Sequence, residues 1–136
     1  MAGRREGGCL CGAVRYSVPW PPLATGTCSC RHCQKQAGSA LSVVLVFPRD
    51  AVSVAGELRT YRDRGTSGQD VFRRFCPGCG SPVLTDTPRA ERQGLLFVKG
   101  GTLDEISDLE PTDHYWVASA QPWMCFPAGG RLIPQE

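Results

Sequence analysis

Cys76-Pro77-Gly78-Cys79-Gly80 is the stretch on which the fold turns. Two cysteines separated by a Pro-Gly pair make a tight turn, because Pro77 presets φ at the first corner while Gly78 and Gly80 can take positive φ. Such a turn aims backbone N–H groups at the sulfurs, which partly neutralises the charge of metal-bound thiolates. The segment is read as a zinc knuckle. A knuckle supplies two of the four ligands of a closed tetrahedral site, so two more must come from a distant part of the chain.

Working outward, two sources compete to complete it. One is Cys9-Leu10-Cys11, preceded by Gly7-Gly8 and followed by Gly12, where little side-chain bulk obstructs an approaching backbone. The other is two members of Cys28-Ser29-Cys30-Arg31-His32-Cys33. Seven of the eight cysteines thus form clusters of two, three and two. Four close one site and three remain, and a three-ligand site leaves a vertex for water, a side chain or a substrate. The pair Cys9 and Cys11 has no third partner nearby and suits the second half of a four-cysteine site. The triplet is locally complete as an open corner.

Composition supports metal over disulfides. The chain has 136 residues, 41% hydrophobic and 21% charged, which fits one soluble globular domain spanning 1–136. Eight cysteines in that length are sparser than in disulfide-held miniproteins. Cysteines two apart on an extended segment also point the same way, which favours two bonds to one ion and strains a disulfide. The first eight residues carry charge but no apolar run that would read as a secretory signal. No stretch approaches the roughly 18 apolar residues of a membrane span. A cytoplasmic location, where thiols stay reduced, is therefore expected. The formal charge of +2 counts every cysteine as neutral. Seven thiolates and two zinc ions would lower it by about three units, so no nucleic-acid footprint is visible. The pairs Arg4-Arg5 and Arg73-Arg74 read as solvated surface rather than a basic stripe.

The remaining pattern is mainly β. Val14, Tyr16 and Val18 alternate with Ala13, Arg15 and Ser17 as in a half-buried strand ending at Pro19. Leu41 to Phe47 is apolar on both faces apart from Ser42, as in a central strand. Further strands are expected at 51–54, 58–62, 71–75, 95–99 and 114–119. Only 31–37 and 103–107 read as helical turns, with Gly38 placed to cap the first.

Taken in order, Cys9-x-Cys11-Gly12-x-Val14-Arg15-Tyr16, Cys28-x-Cys30-x-x-Cys33-Gln34-Lys35-x-x-Gly38-Ser39 and Phe75-Cys76-x-x-Cys79-Gly80 resemble the glutathione-dependent formaldehyde-activating enzyme family, also called the CENP-V domain family. Pro111-x-x-His114 with Trp116 and Trp123 is similar to its C-terminal stretch. The resemblance implies a Mss4-like fold of several short antiparallel sheets held around two zinc ions. Cys9, Cys11, Cys76 and Cys79 would hold a structural ion, and Cys28, Cys30 and Cys33 a catalytic one. It also implies carbon–sulfur lyase chemistry: joining glutathione to formaldehyde, or the reverse. An open zinc suits this, because it can lower the pKa of an incoming thiol from about 8.5 beside an electrophilic carbonyl. The pattern departs at Ser29, where many relatives carry histidine.

Gln34, Lys35 and Ser39 follow the triplet closely enough to line its open face, and Lys35 could meet a carboxylate of a glutathione-like ligand. His32 could orient a ligand or shuttle a proton, or it could be a solvated loop histidine. His114 reads as a structural histidine, with a pocket role as the alternative. Cys125, among apolar neighbours, reads as a buried free thiol. Two other functions compete: a zinc-stapled binding module without catalysis, and a methionine sulfoxide reductase of the B type using Cys125. Partners are expected to be a small thiol and an aldehyde, with the chain a monomer or homodimer.

Overall fold

The structure is a computed structural model that describes residues 3–135. In chain order the first strands are β1 (Gly3–Gly8), β2 (Arg15–Trp20), β3 (Ala24–Cys28), β4 (Ser42–Pro48), β5 (Ser53–Ala55) and β6 (Arg59–Arg64). They are followed by β7 (Asp70–Phe75), β8 (Pro82–Asp86), β9 (Leu95–Lys99), β10 (Asp113–Tyr115) and β11 (Arg131–Ile133). Two short helices interrupt them, α1 (Arg31–Ala37) and α2 (Pro88–Arg92). The fold is mainly β, as the sequence pattern predicts. Among the described residues, no helix is long and apolar enough to cross a membrane.

β1, β2 and β5 form a small antiparallel sheet, and the other eight strands form one large sheet in the order β11-β10-β3-β4-β9-β8-β7-β6. The large sheet is mixed, because β10 runs parallel to both β3 and β11. Its core face is built by Leu45 and Phe47 of β4, Val98 and Leu96 of β9 and Leu84 of β8. These pack with Val14, Tyr16 and Val18 from the small sheet's hairpin. Side chains alternate faces along a strand, so register assigns the opposite face too. There Cys28 pairs with Ser42, Val44 with Lys99, Val46 with Phe97, Phe97 with Thr85 and Thr85 with Arg73. That outer face carries the chemistry.

α1 matches its sequence reading. Gly38 takes the left-handed conformation at its end (φ 65°) and returns its N–H to the carbonyls of Gln34 and Lys35. Elsewhere the structure corrects the expectations. Residues 103–107 are not helical. A 3-10 turn occupies Gly100–Thr102 instead, and Leu103 forms a bridge with Gly7. Asp104 is drawn along β1 by its N–H to Glu6 O (3.0 Å) and by an ion pair with Arg15, which holds this segment extended. The strand expected over 114–119 stops at Tyr115, because Trp116 adopts positive φ (59°) and leads into a 3-10 turn over Val117–Ser119. The strand expected over 51–54 is displaced to Ser53–Ala55 by a 3-10 turn at Arg49–Ala51.

Candidate metal centres

The four-cysteine site joins two turns. Cys9 and Cys11 lie in the β1–β2 turn, and Cys76 and Cys79 in the β7–β8 turn. Their four sulfurs all stand within 4.8 Å of one another. The Cys9–Cys11 sulfurs are 3.6 Å apart and the Cys11–Cys76 sulfurs 3.8 Å. Four sulfurs at about 2.3 Å from one zinc in a tetrahedron are about 3.8 Å apart, so the donor set fits that ion. Backbone N–H groups point at the sulfurs as the knuckle argument requires. Val14 N donates to Cys9 Sγ (3.2 Å) and Gly78 N to Cys76 Sγ (3.3 Å). The Ser81 hydroxyl and N–H hold the Cys79 thiol down at about 5. Gly12 (φ 84°) and Gly80 (φ 79°) close the two turns with N–H bonds to Cys9 O and Cys76 O. Of the two sources considered for completing the knuckle, the structure brings the Cys9–Cys11 pair.

The triplet stands apart at the end of β3 and the start of α1. Cys28 closes the strand. Cys30 caps the helix, its sulfur accepting Cys33 N–H at 3.3 Å, which turns Cys33 back toward it. The three sulfurs lie within 4.8 Å of one another, and no fourth His, Cys, Asp or Glu ligand atom joins them among the described residues. They fit three corners of a zinc tetrahedron. All eight cysteines are free thiols.

Two buried cations flank this cluster. Arg73, 4% exposed, brings Nη1 to 3.9 Å from Cys33 Sγ and donates Nε–H to Asp63 (2.9 Å). Asp63 also meets His32 Nδ1 at 2.9 Å, so His32, Asp63, Arg73 and Cys33 form one chain of contacts. Lys99, 6% exposed, donates to Ser42 Oγ at 2.6 Å. Three thiolates holding a dication would carry net −1, a charge that cations buried at this spot would offset. Hydrogen bonds from Cys28 and Cys30 hold the Cys33 thiol well below the usual range, with Arg73 and Lys99 adding to the effect. Hydrogen bonds with Cys30 and Cys33, with burial, push Cys28 up. Burial lowers the Lys99 ammonium, and the Cys33 thiolate opposes that shift.

Three cavities open around the triplet. One of about 240 Å³ is lined by Cys28, Cys33, Arg73 and Lys99 among others. A second, of about 530 Å³, takes Cys30, Cys33, Arg73 and Trp116. A third, of about 460 Å³, is bounded by Arg31, His32, Lys35 and Arg73.

The other residues singled out in the sequence divide. Lys35 lines the third cavity. Gln34 is buried, and its amide is occupied by Ser29 O (2.7 Å), Ser119 O (3.0 Å), Arg31 and Gln121, so it braces α1 against the chain's later turn. Ser39 is exposed beyond the helix and lines none of the three cavities. His114 is buried, bound through Nδ1 to Thr27 Oγ1 (2.8 Å) and packed on Phe126, while its buried Nε2 has no hydrogen-bond partner among the described residues. Cys125 is exposed, contrary to the buried thiol expected, because the segment carrying it runs over the surface. Arg73 is buried rather than solvated. Sequence reasoning missed it with Asp63 and Lys99, although Arg73 shares the strand face of Val71 and Phe75, where an unpaired surface charge is out of place.

The family model described as "Glutathione-dependent formaldehyde-activating enzyme" matches residues 4–119. A Halomonas elongata protein named "Putative glutathione-dependent formaldehyde-activating enzyme" is 29% identical over 97 residues, covering 62% of this chain and 57% of that protein. The match thus spans little more than half of that relative. In fold, the chain is similar to the crystal structure of a Rhodobacter sphaeroides protein, with a TM-score of 0.56 and 20% identity over 76% of this chain and 91% of that one. The family model takes in all three cysteine motifs and both flanking cations, and the chain belongs to the glutathione-dependent formaldehyde-activating enzyme family.

Proposed function

We propose that the chain acts as one zinc domain over residues 1–136. It would catalyse carbon–sulfur bond formation or cleavage between a thiol such as glutathione and formaldehyde or a related aldehyde, in the cytoplasm. Cys28, Cys30 and Cys33 are the reaction centre, and Cys9, Cys11, Cys76 and Cys79 the structural clip. The observation that carries this reading is a three-sulfur corner with no fourth protein ligand among the described residues, facing open cavities.

Zinc held by Cys28, Cys30 and Cys33 would supply a Lewis-acid position able to lower the pKa of an incoming thiol. The protein's own groups do the rest. Arg73 and Lys99 hold positive charge beside the sulfurs, where an incoming thiolate would add negative charge. Lys35, at the mouth of the third cavity, can meet a ligand carboxylate. His32 is held by Asp63 and keeps its other ring nitrogen for a substrate group. Gln34 fixes the helix that carries Cys33 and does not face the ligand.

Exchange spectroscopy of glutathione with formaldehyde tests the assignment. Acceleration over the uncatalysed exchange, in protein carrying two zinc ions per chain by metal analysis, is the expected outcome. No acceleration at that stoichiometry would sink the substrate assignment and favour a zinc-stapled binding module.

A further inference from the structure

Part of the outer face of the large sheet, on β4 and β9, is apolar where water would call for polar side chains. A sheet with one face on the core normally alternates apolar inward with polar outward. Here the outward positions of β4 and β9 include Val44, Val46 and Phe97, half-buried around the cavity of about 240 Å³. The Tyr115 ring closes a further wall by lying over Gly26. A Cβ on that glycine would come within 3.2 Å of the ring and 3.0 Å of Asp113 O. The other end of the cavity is charged, with Lys99 and Arg73 beside Cys28 and Cys33. One small cavity thus has an apolar body and a cationic end that meets the reaction centre.

Size decides what fits. A water-sized molecule takes about 30 Å³, so an aldehyde of two heavy atoms would fill about a quarter of this space. Such a ligand would leave the walls of Val44, Val46 and Phe97 unused. The neighbouring cavity of about 530 Å³ falls in the usual range for a ligand of tripeptide size. Both cavities are lined by Cys33, Arg73 and Thr85. Two substrates, one in each cavity, would therefore meet at that shared wall.

We infer that the cavity between β3, β4 and β9 receives a carbonyl compound larger than formaldehyde, its apolar substituent against Val44, Val46 and Phe97 and its oxygen toward Lys99. The inference rests on the carbon–sulfur reading above. Lys99 suits the oxygen because its ammonium has three protons and, among the described residues, makes one hydrogen bond, to Ser42 Oγ. The step balances without an oxidant or reductant. A sulfur–carbon bond forms, the carbonyl π bond opens onto oxygen, and the proton given up by the thiol ends on that oxygen. The product is a hemithioacetal, and the reverse step splits it.

The test follows glutathione addition to formaldehyde, ethanal, propanal, butanal and pentanal with the zinc-loaded protein. Enzymatic acceleration in kcat/KM should rise about fourfold per methylene while the substituent stays within the cavity, then level off. Val46→Phe should bring the pentanal-to-formaldehyde ratio down to about one. Lys99→Met should slow every aldehyde by about the same factor, at least tenfold, and leave the chain-length slope in place. Independently of turnover, saturation-transfer NMR should detect 2-pentanone on the unaltered protein and lose it with Val46→Phe. Formaldehyde acceleration with no gain along the series, or a gain that Val46→Phe leaves intact, overturns this inference and leaves the carbon–sulfur reading standing. No acceleration with any aldehyde, with two zinc ions confirmed, overturns both.

Discussion

Arg73 shows how a residue invisible as a site in the sequence becomes one in space. The seven clustered cysteines were legible because metal geometry demands short spacings, and those spacings survive without knowledge of the fold. Arg73, Asp63 and Lys99 carry no such spacing. They gather at Cys33 only through the fold: Arg73 on β7 contacts it, Asp63 on β6 holds Arg73, and Lys99 on β9 lines a cavity with it. The guanidinium stands 3.9 Å from Cys33 Sγ and is anchored by Asp63. Removing it leaves the net negative charge of a three-thiolate site without its closest cation, so protons compete better with metal for the sulfurs. Arg73→Met should weaken zinc at the triplet about 10- to 100-fold and leave the four-cysteine site unchanged, measured by competition with a chromogenic chelator. Arg73→Lys should fall between, keeping the charge and losing the planar fork that reaches Asp63 and Cys33 together. Equal zinc affinity in all three proteins would show that this cation does not support the centre.

At the scale of elements, the sequence reads α1 to the residue, whereas it does not yield β1, β3, β8, β11 and α2. The reasons differ. α1 has a local stop signal in Gly38, and its conformation depends on little else. β1 is Gly-Arg-Arg-Glu-Gly-Gly, without apolar alternation. It is held by backbone pairing with β2 and by Arg5, which lies 3.9 Å over the Trp20 ring and pairs with Asp108. Such support is tertiary and leaves no periodic trace. α2 did carry a signature, Thr87 as cap with Pro88 at its first position. The part played by Gly38 can be measured. A Cβ there meets no atom within 4 Å, so any cost of substitution is conformational. Gly38→Ala should lower unfolding free energy by about 1 kcal/mol, and Gly38→Asn by less, since asparagine tolerates left-handed φ. Urea unfolding at constant zinc occupancy reads the difference. No loss in either variant would mean that the end of α1 can rearrange without cost, and with it the placement of Cys33.

Across the whole molecule, the two centres have different mechanical duties. The four-cysteine site ties the β1–β2 turn to the β7–β8 turn, linking sulfurs 65 residues apart and joining the small sheet to the large one. The triplet spans six residues of one strand-to-helix junction and joins nothing distant. The first site is closed by four sulfurs, two of which accept backbone N–H bonds, while the second has three and faces cavities. Zinc should therefore leave in two steps under increasing chelator. The triplet ion goes first, with loss of turnover and little change in far-ultraviolet circular dichroism. The second ion goes later and takes the fold with it, because binding energy at a long-range clip is folding energy. Cys30→Ser should remove the first step and keep the second, leaving a folded protein with one zinc. Cys76→Ser should fail to reach a stable fold, since the hairpin carrying Val14, Tyr16 and Val18 then loses its tie to the large sheet. Release of both ions in one transition, coincident with unfolding, would mean instead that the triplet is also a structural clip and that the division of labour between the two clusters is wrong.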